Sequence, residues 1–365
     1  FHSYTSYKNQ SCSFFKKKGK KTNKNHKLTS FVTEDKRSVM TIGVIGGGVW
    51  GSALARILSK NKVLIYARDE NIVKSINDHK LNPKLKYSSF NENVSATSSL
   101  EELKSSKYLF IALPAQRIRE VVSQKQFHNK KHNIVICSKG IEISSSKFLT
   151  EVIEELMPFK SVSILSGPSF STEVAQNLPT AVTLATKDKS NFENISKLIT
   201  NKEFRVYYTS DIVGAQIGGA LKNIYAIAAG ISQGLNLGEN AKSALISRSF
   251  AEITRFAEIF KANKNTLFGL SGLGDLILTC SSESSRNTKF GIKIASAKIE
   301  NYSDLLKSQE VTEGYYTVEA VFNISQKYKI DMPIMESVYN ILYKRYDLKD
   351  ELIKLLSRSL KEEVI

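Results

Sequence analysis

The chain has 365 residues, 41% of them hydrophobic, enough to bury a substantial core; at ~150 residues per domain this predicts two domains and an extra segment. Cys12, Cys137 and Cys280 are odd in number, widely spaced and outside any CxxC, which argues against a disulfide framework or a zinc site and for a reducing compartment. The net charge of +17 could suggest a nucleic-acid partner, but residues 1–40 hold ten Lys and Arg against two acids, so +8 belongs to a tail and +9 is spread over the other 325 residues.

That tail carries Lys16-Lys17-Lys18-Gly19-Lys20-Lys21, is rich in Ser and Asn, and has no helical or strand periodicity. It reads as a transit peptide into an organelle matrix, plastid-like (apicoplast) or mitochondrial, and residues 1–40 are set apart from the fold. A disordered basic arm on a cytoplasmic protein is the alternative. The longest apolar runs, such as Ile224 to Ile231, fall far short of the ~20 residues of a membrane-spanning helix, so no span is expected.

From Thr41 onward short apolar runs alternate with polar helical stretches. The runs are Thr41 to Gly46, Val63 to Ala67, Tyr108 to Leu113, Ile134 to Cys137, Val162 to Leu165, Ala181 to Ala185 and Arg205 to Tyr208. Most are rich in Val, Ile and Leu without strict alternation, as in strands covered on both faces, and their alternation with helices predicts an α/β fold with a doubly wound parallel sheet.

Gly46-Gly47-Gly48-Val49-Trp50-Gly51 follows the first of these strands and opens the helical stretch Ser52 to Leu58. In that order, Gly46, Gly48 and Gly51 permit a tight turn, close approach to a pyrophosphate and tight packing of helix on strand, while the helix N-terminus offers N–H groups to an anion. The motif predicts dinucleotide binding. The second strand ends in Tyr66-Ala67-Arg68 before Asp69 and Glu70, where an NAD site usually places an acid. Arg68 could stack on adenine, meet a 2′-phosphate or be an exposed loop arginine, and the choice between NAD and NADP stays open.

Ser138-Lys139-Gly140 and Ser166-Gly167-Pro168-Ser169-Phe170 follow later strands, on the edge where doubly wound sheets bind ligands; singly, each also fits an ordinary turn. Lys139 could meet a phosphorylated substrate. Beyond Asp211 the strand signal stops and Gly, Ala, Leu and Ile recur at helical spacing, with Leu352, Leu355, Leu356 and Leu360 near one helical face. The boundary near Tyr208 divides a sheet domain, 41–208, from an all-α domain, 209–360.

Within the helical part, Lys222 stands among Gly218, Gly219, Ala220, Leu221, Ile224 and Ala226. A lysine withdrawn from water has a lowered pKa and can act as a general acid near neutrality; one that snorkels its ammonium outward has no such role. Asp275, in Gly272-Leu273-Gly274-Asp275-Leu276, fits a helix cap on local grounds and alternatively a partner for Lys222. Ser284-Ser285-Arg286-Asn287 offers an arginine fork among small hydrogen-bonding side chains, suited to a phosphate or to a solvated loop.

The histidines lie away from these motifs: His2 and His26 in the tail, His79, His128 and His132 in polar stretches. His128 and His132 are four apart, but Lys130 and Lys131 intervene and no acid or cysteine is close, so no metal is expected. HExxH, Cys/His clusters and GxSxG are absent, which leaves a lysine as the best candidate for moving a proton.

Together GGGVWG, SKG, SGPSF, GGALKN, GLGDL, SRN and Val311-Thr312-Glu313-Gly314-Tyr315 resemble, in order and from about Thr41 to Leu360, the NAD(P)-dependent glycerol-3-phosphate dehydrogenases of bacterial and plastid type. The resemblance implies a Rossmann-type domain followed by the helical one. It implies reversible hydride transfer between NAD(P)H and dihydroxyacetone phosphate, giving sn-glycerol 3-phosphate, a glycerolipid precursor. By it, Lys222 corresponds to the catalytic lysine and itself meets substrate, together with Lys139, Gly167, Ser169, Asp275, Ser285, Arg286 and Asn287. Val49, Trp50, Arg68, Lys139, Ser171, Arg286, Val311 and Glu313 correspond to dinucleotide contacts. Val49 stands where members often carry a hydroxyl, and Ser171 where a small apolar residue is common. A homodimer is the expected assembly. A lysine-using hydroxy-acid dehydrogenase, which would need a carboxylate site, and a nucleotide-sensing or nucleic-acid-binding protein without chemistry are the competing classes.

Overall fold

The computed structural model describes residues 41–85, 88–127, 131–296, 312–359 and 362. The basic segment 1–40, with His2, Cys12 and His26, lies outside these residues, as do His128, Val311 and Leu360. The described residues belong to one compact unit, Val39–Ile365.

Eight strands form one sheet: β1 (Thr41–Ile45), β2 (Lys62–Tyr66), β3 (Val94–Thr97), β4 (Tyr108–Ile111), β5 (His132–Ile136), β6 (Phe159–Ser166), β7 (Thr180–Thr186) and β8 (Phe204–Thr209), in the order β3-β2-β1-β4-β5-β6-β7-β8. All neighbouring pairs are parallel except β6 and β7. Seven strands are read from the sequence within a residue or two at most ends. The eighth, β3, is four residues of sequence VSAT, too short and polar to announce itself. His132, expected in a polar stretch, instead opens β5, fully buried, its Nδ1 2.7 Å from the Ser106 carbonyl.

Alternate residues of the central strands feed two cores. Ile42, Val44, Phe110 and Val135 join the cluster on one face, with Leu54 of α1 (Val49–Leu58), Ile72 of α2 (Glu70–His79) and Ile195 of α6 (Lys189–Ile199). Ile45, Ile111 and Ile136 join the other, with Ile118 of α3 (Ile118–Val122) and Ile153 of α4 (Leu149–Leu156). Both faces are therefore covered, which is why the strands read as near-continuous apolar runs. The short α5 (Ser171–Ala175) follows β6.

After β8 the elements among the described residues are helices: α7 (Ile212–Gly234), α8 (Gly238–Ile259), α9 (Lys264–Phe268), α10 (Asp275–Ser281), α11 (Arg286–Ser296), α12 (Glu313–Tyr328), α13 (Pro333–Tyr339) and α14 (Leu348–Leu356). A π-helical turn, Leu270–Gly274, leads into α10. Helix α7 is the axis of this part, and Asp211 caps its start by accepting the Gly214 N–H at 2.9 Å. With 23 residues, 18 of them forming a window of mean hydropathy 1.2, it is long and apolar enough by length and composition to cross a membrane, contrary to the reading of its apolar runs. Its apolarity has a local cause: 89% of that window is buried, and residues Gly214 to Ser232 are all inside.

Glycine makes the packing close. A Cβ on Gly230 would stand 2.1 Å from the Thr288 carbonyl, and one on Gly291 2.1 Å from that of Ile227, so α7 and α11 meet backbone to backbone. In α14, Leu352 and Leu355 are half-buried, but Leu356 is 77% exposed, off the shared face that its spacing suggests.

Candidate active site

The register levels the carboxyl ends of the parallel strands. Ile45 pairs with Tyr66 and with Ile111, Ile111 with Ile136, and Ile136 with Ile164. The loops bearing Gly46–Gly51, Arg68, Ser138–Gly140 and Gly167–Ser171 thus leave one edge of the sheet. Strand order reverses between β1 and β4, the switch point where such sheets open a crevice.

At β1 the chain turns tightly into α1. Gly46 has φ +129, and a Cβ on Gly51 would overlap the Gly46 carbonyl at 1.8 Å, so side chains are excluded from both positions. Gly48 is the N-cap of α1, and a Cβ there would meet nothing within 4 Å. The turn is therefore closed below and open above, with the N–H groups of the first turn of α1 unsatisfied by the helix, which fits a pyrophosphate. Val49 and Trp50 begin the helix, and Trp50 Nε1 donates to the Cys137 carbonyl at 3.1 Å. Arg68 is exposed at the end of β2, while Asp69 caps α2 by accepting the Asn71 N–H at 3.0 Å.

Asp275 joins the two parts of the fold. Its carboxylate is fully buried; Oδ1 accepts from Lys222 Nζ on α7 at 2.6 Å and Oδ2 from Lys139 Nζ, beyond β5, at 2.6 Å. Lys139 also donates to the Gly167 carbonyl at 3.0 Å, and the Ser169 hydroxyl donates to that same carbonyl at 3.0 Å. Lys222 is 8% exposed and does not snorkel: its Nζ donates again to Thr279 Oγ1 at 2.7 Å. Asp275 is the first residue of α10, but its side chain does not cap the helix. Gly218 allows the approach, since a Cβ there would lie 2.3 Å from the Ser271 carbonyl just before α10.

Burial pushes the Lys222 ammonium down to about 8, with Lys139 adding to the drop and Asp275 opposing it. The nearby Cys280 thiol is pushed up to about 12 by burial and stays neutral at physiological pH. Thr279 is a site residue that the motif reading missed, although its place one helical turn after Asp275 was a legible signal.

A second knot lies beside Lys222. Asn287 Nδ2 donates to Asn223 Oδ1 at 3.0 Å, and Asn287 Oδ1 accepts the Gly314 N–H at 2.9 Å, tying α11 and α12 to α7. Ser285 is buried and caps α11 by accepting the Thr288 N–H at 3.2 Å, while Arg286, exposed, begins that helix. Glu313, first residue of α12, receives the Ala115 N–H, and its Oε2 lies 3.5 Å from where a Cβ of Gly140 would be. Burial pushes this carboxyl up to about 7, against the pull of Ala115 and Arg286.

The structure thus gathers Lys139, Gly167, Ser169, Lys222 and Asp275 in one bonded cluster, with Asn287 bonded to the residue next to Lys222. Ser285 and Arg286 adjoin Asn287 in the chain, Glu313 lies against the Lys139 loop, and Ser171 begins α5 beyond β6. Arg68 stands apart, at the end of β2. Among the described residues, no group of three His, Cys, Asp or Glu could hold a metal ion, and Cys137 and Cys280 are free and buried.

Two family models match, the N-terminal and C-terminal parts of NAD-dependent glycerol-3-phosphate dehydrogenase, over residues 41–192 and 211–353. The chain is 40% identical over 325 residues to a glycerol-3-phosphate dehydrogenase [NAD(P)+] of Zymomonas mobilis, covering 88% of this chain and 94% of that one. It is 43% identical over 328 residues to the enzyme of that name from Thermotoga sp., covering 89% and 99%. The crystal structure of glycerol-3-phosphate dehydrogenase from Coxiella burnetii superposes with a TM-score of 0.83 at 34% identity, covering 87% of this chain and 99% of that one. The sheet, the glycine turn at its switch point and these matches over nearly all the described residues agree: the chain belongs to the NAD-dependent glycerol-3-phosphate dehydrogenase family.

Proposed function

We propose that this crevice interconverts dihydroxyacetone phosphate and sn-glycerol 3-phosphate, with residues 41–208 holding the dinucleotide, 209–360 holding most of the substrate, and Lys222 as general acid and base. The observation that carries the reading is the Lys222–Asp275–Lys139 cluster, its carboxylate fully buried, at the carboxyl edge of the sheet. When bound, the nicotinamide dinucleotide supplies or accepts the hydride at C2 of the substrate.

Everything else falls to the chain. Asp275 and Thr279 engage two of the three N–H groups of the Lys222 ammonium, leaving the third for the C2 oxygen. As charge develops on that oxygen during reduction, the ammonium stabilises it and then yields its proton; in oxidation the amine takes the proton back. A pKa near 8 suits both directions. Lys139, with two N–H groups bound to Asp275 and Gly167, likewise has one left for substrate or dinucleotide.

Arg286, Ser285 and Asn287 at the N-terminus of α11 hold the phosphate, where the guanidinium fork and the helix dipole act together, and Gly167 and Ser169, bonded to each other beside Lys139, complete the substrate contacts. Asn287 uses one amide N–H on Asn223 and keeps the other for the ligand. Anchoring the phosphate orients the ketone for transfer.

The dinucleotide lies along Gly46, Gly48, Val49, Trp50 and Gly51, reaching Arg68 at its adenosine end and Lys139, Ser171, Arg286, Val311 and Glu313 elsewhere. Arg68 is exposed at the end of β2 and Asp69 is committed to capping α2, which supports a reader of the 2′-phosphate and hence NADP over NAD. Steady-state rates with NADPH and NADH, using dihydroxyacetone phosphate, test reaction and preference together; a 2-keto acid in its place tests the hydroxy-acid alternative. Lys222→Ala is expected to abolish turnover while dinucleotide still quenches Trp50, the single tryptophan. Normal turnover in that variant overturns the assignment.

The assembly is a homodimer in this reading. An apolar groove of about 950 Å³ between α7, α8, α13 and α14 supports it, with Ile353 and Leu356 of α14 left 62% and 77% exposed. Light scattering that gives a monomer mass refutes the dimer. Residues 1–40 act as an organelle presequence; a fluorescent protein carrying them that stays in the cytoplasm refutes that role.

A further inference from the structure

Asn82, in the turn after α2, is buried (2% exposed), and its amide is engaged with the glycine turn, with α1 and with the backbone two residues on. Nδ2 donates to the Gly47 carbonyl at 3.0 Å and to Ser52 Oγ, in the second turn of α1, at 2.6 Å, while Oδ1 accepts the Lys84 N–H at 2.9 Å. The bond to Gly47 matters most, because of what the next peptide atom does. In a planar trans peptide the carbonyl of one residue and the N–H of the next point in opposite directions. Drawing the Gly47 carbonyl toward Asn82 therefore turns the Gly48 N–H away from it. Gly48 is the N-cap of α1, and the space beyond its Cα is open.

This peptide is flanked by two glycines, so no side chain resists its rotation. An amide aimed at one carbonyl, held in place at its own oxygen by Lys84, is a direct means of holding it. We propose that Asn82 is a positioning residue for the dinucleotide: it locks the Gly47–Gly48 peptide so that the Gly48 N–H joins the N–H groups of the first turn of α1 in facing the pyrophosphate. Asn82 acts from behind the turn and touches no ligand. The inference rests on the reading that the pyrophosphate lies on the Gly46–Gly51 turn.

The test measures the dissociation constants of NADPH, NADH and ADP-ribose by titration calorimetry, with kcat, the KM for dihydroxyacetone phosphate and the melting temperature alongside. Asn82→Ala should weaken all three ligands by about tenfold, as expected for losing one buried hydrogen bond and the order it imposes. At saturating dinucleotide, kcat and the KM for dihydroxyacetone phosphate should stay within about twofold of the parent. Asn82→Leu, which keeps the branching of the side chain and drops its polar groups, should behave alike. Ser52→Ala, which removes the other bond and spares that to Gly47, should leave the dissociation constants unchanged.

Unchanged dissociation constants in both Asn82 variants overturn the proposal, whatever their melting temperatures, and so does an equal loss in Ser52→Ala. Gly48→Glu separates this failure from that of the underlying reading, since it sets a carboxylate in the open space above the turn. If Gly48→Glu binds as the parent does, the pyrophosphate is not on this turn and both ideas fall. If it loses binding while the Asn82 variants keep theirs, only the role of Asn82 falls.

Discussion

Asp275→Asn keeps the shape of the side chain and removes one negative charge from between two ammonium groups, each 2.6 Å from one of its oxygens. Asp275 is fully buried and Lys222 is 8% exposed, so water cannot replace the lost charge. At an effective dielectric of ~20 and a charge separation of ~4 Å, each pair is worth about 4 kcal/mol, or roughly three pKa units. Burial already pushes Lys222 down to about 8 against the pull of Asp275. Losing that pull should carry it down by a further two to three units or so. Reduction needs the ammonium, so its rate falls as pH rises through the Lys222 pKa: above about 8 in the parent, and already above about 5 to 6 in the variant. At pH 7.5 the variant should reduce dihydroxyacetone phosphate on the order of a hundredfold more slowly, with partial recovery toward pH 5.

Stability should move with it. A buried Lys222 and a half-buried Lys139 left without their carboxylate cost about 3–5 kcal/mol. The cost is greatest at low pH, where Lys222 holds its proton, and shrinks as pH rises and Lys222 loses it. Initial rates of NADPH oxidation across pH, paired with denaturant midpoints, read both effects. A variant whose reduction still falls only above pH 8, or one as stable as the parent at pH 6, would refute the electrostatic account of the cluster.

Arg286→Ala should raise the KM for dihydroxyacetone phosphate on the order of ten- to a hundredfold, the loss of a charge-assisted hydrogen bond; an unchanged KM counts against a phosphate role. Glu252 of α8 is buried, accepts the Ile334 and Met335 N–H groups at 2.7 and 3.1 Å and the Tyr225 hydroxyl at 3.1 Å, and is pushed up to about 7 by burial. A carboxyl raised on folding contributes stability that is fully present below its unfolded pKa of 4.5 and is lost as pH rises through about 7. The melting temperature should therefore carry a decline across that window, and Glu252→Gln should make it shallower, leaving the share of Glu313, which burial also pushes up to about 7; a decline of unchanged depth in the variant refutes the share of Glu252. Gly291→Ala puts a Cβ 2.1 Å from the Ile227 carbonyl, a backbone atom that cannot step aside, and should cost about 1–3 kcal/mol or more. An unchanged melting temperature would mean that α7 and α11 separate more easily than their packing implies.

What the sequence determined by itself is whatever is written between near neighbours. The apolar runs mark seven of eight strands, most plainly the central ones that are covered on both faces, and the glycines between a strand and a helix mark the turn because no side chain fits at Gly46 or Gly51. The loss of strand signal after Asp211 marks the passage to helices for the same reason, that periodicity is a property of consecutive residues. Even at this level β3 escaped, since four residues of mixed polarity carry no period, and the antiparallel turn of β7 against β6 leaves no trace in either strand alone.

Tertiary structure decided the rest. In the chain, Lys222 looks first like a snorkelling surface cation and second like a buried acid, and Asp275 looks first like a helix cap. Folding brings them together across 53 residues and adds Lys139 from 136 residues away, and that pairing turns the one reading into the other. Asn82 carried no signal at all, because its meaning lies in one carbonyl 35 residues upstream. Burial and charge pairing belong to the packed molecule: whether a cation keeps its water depends on which surfaces close over it, and no stretch of neighbouring residues contains that information.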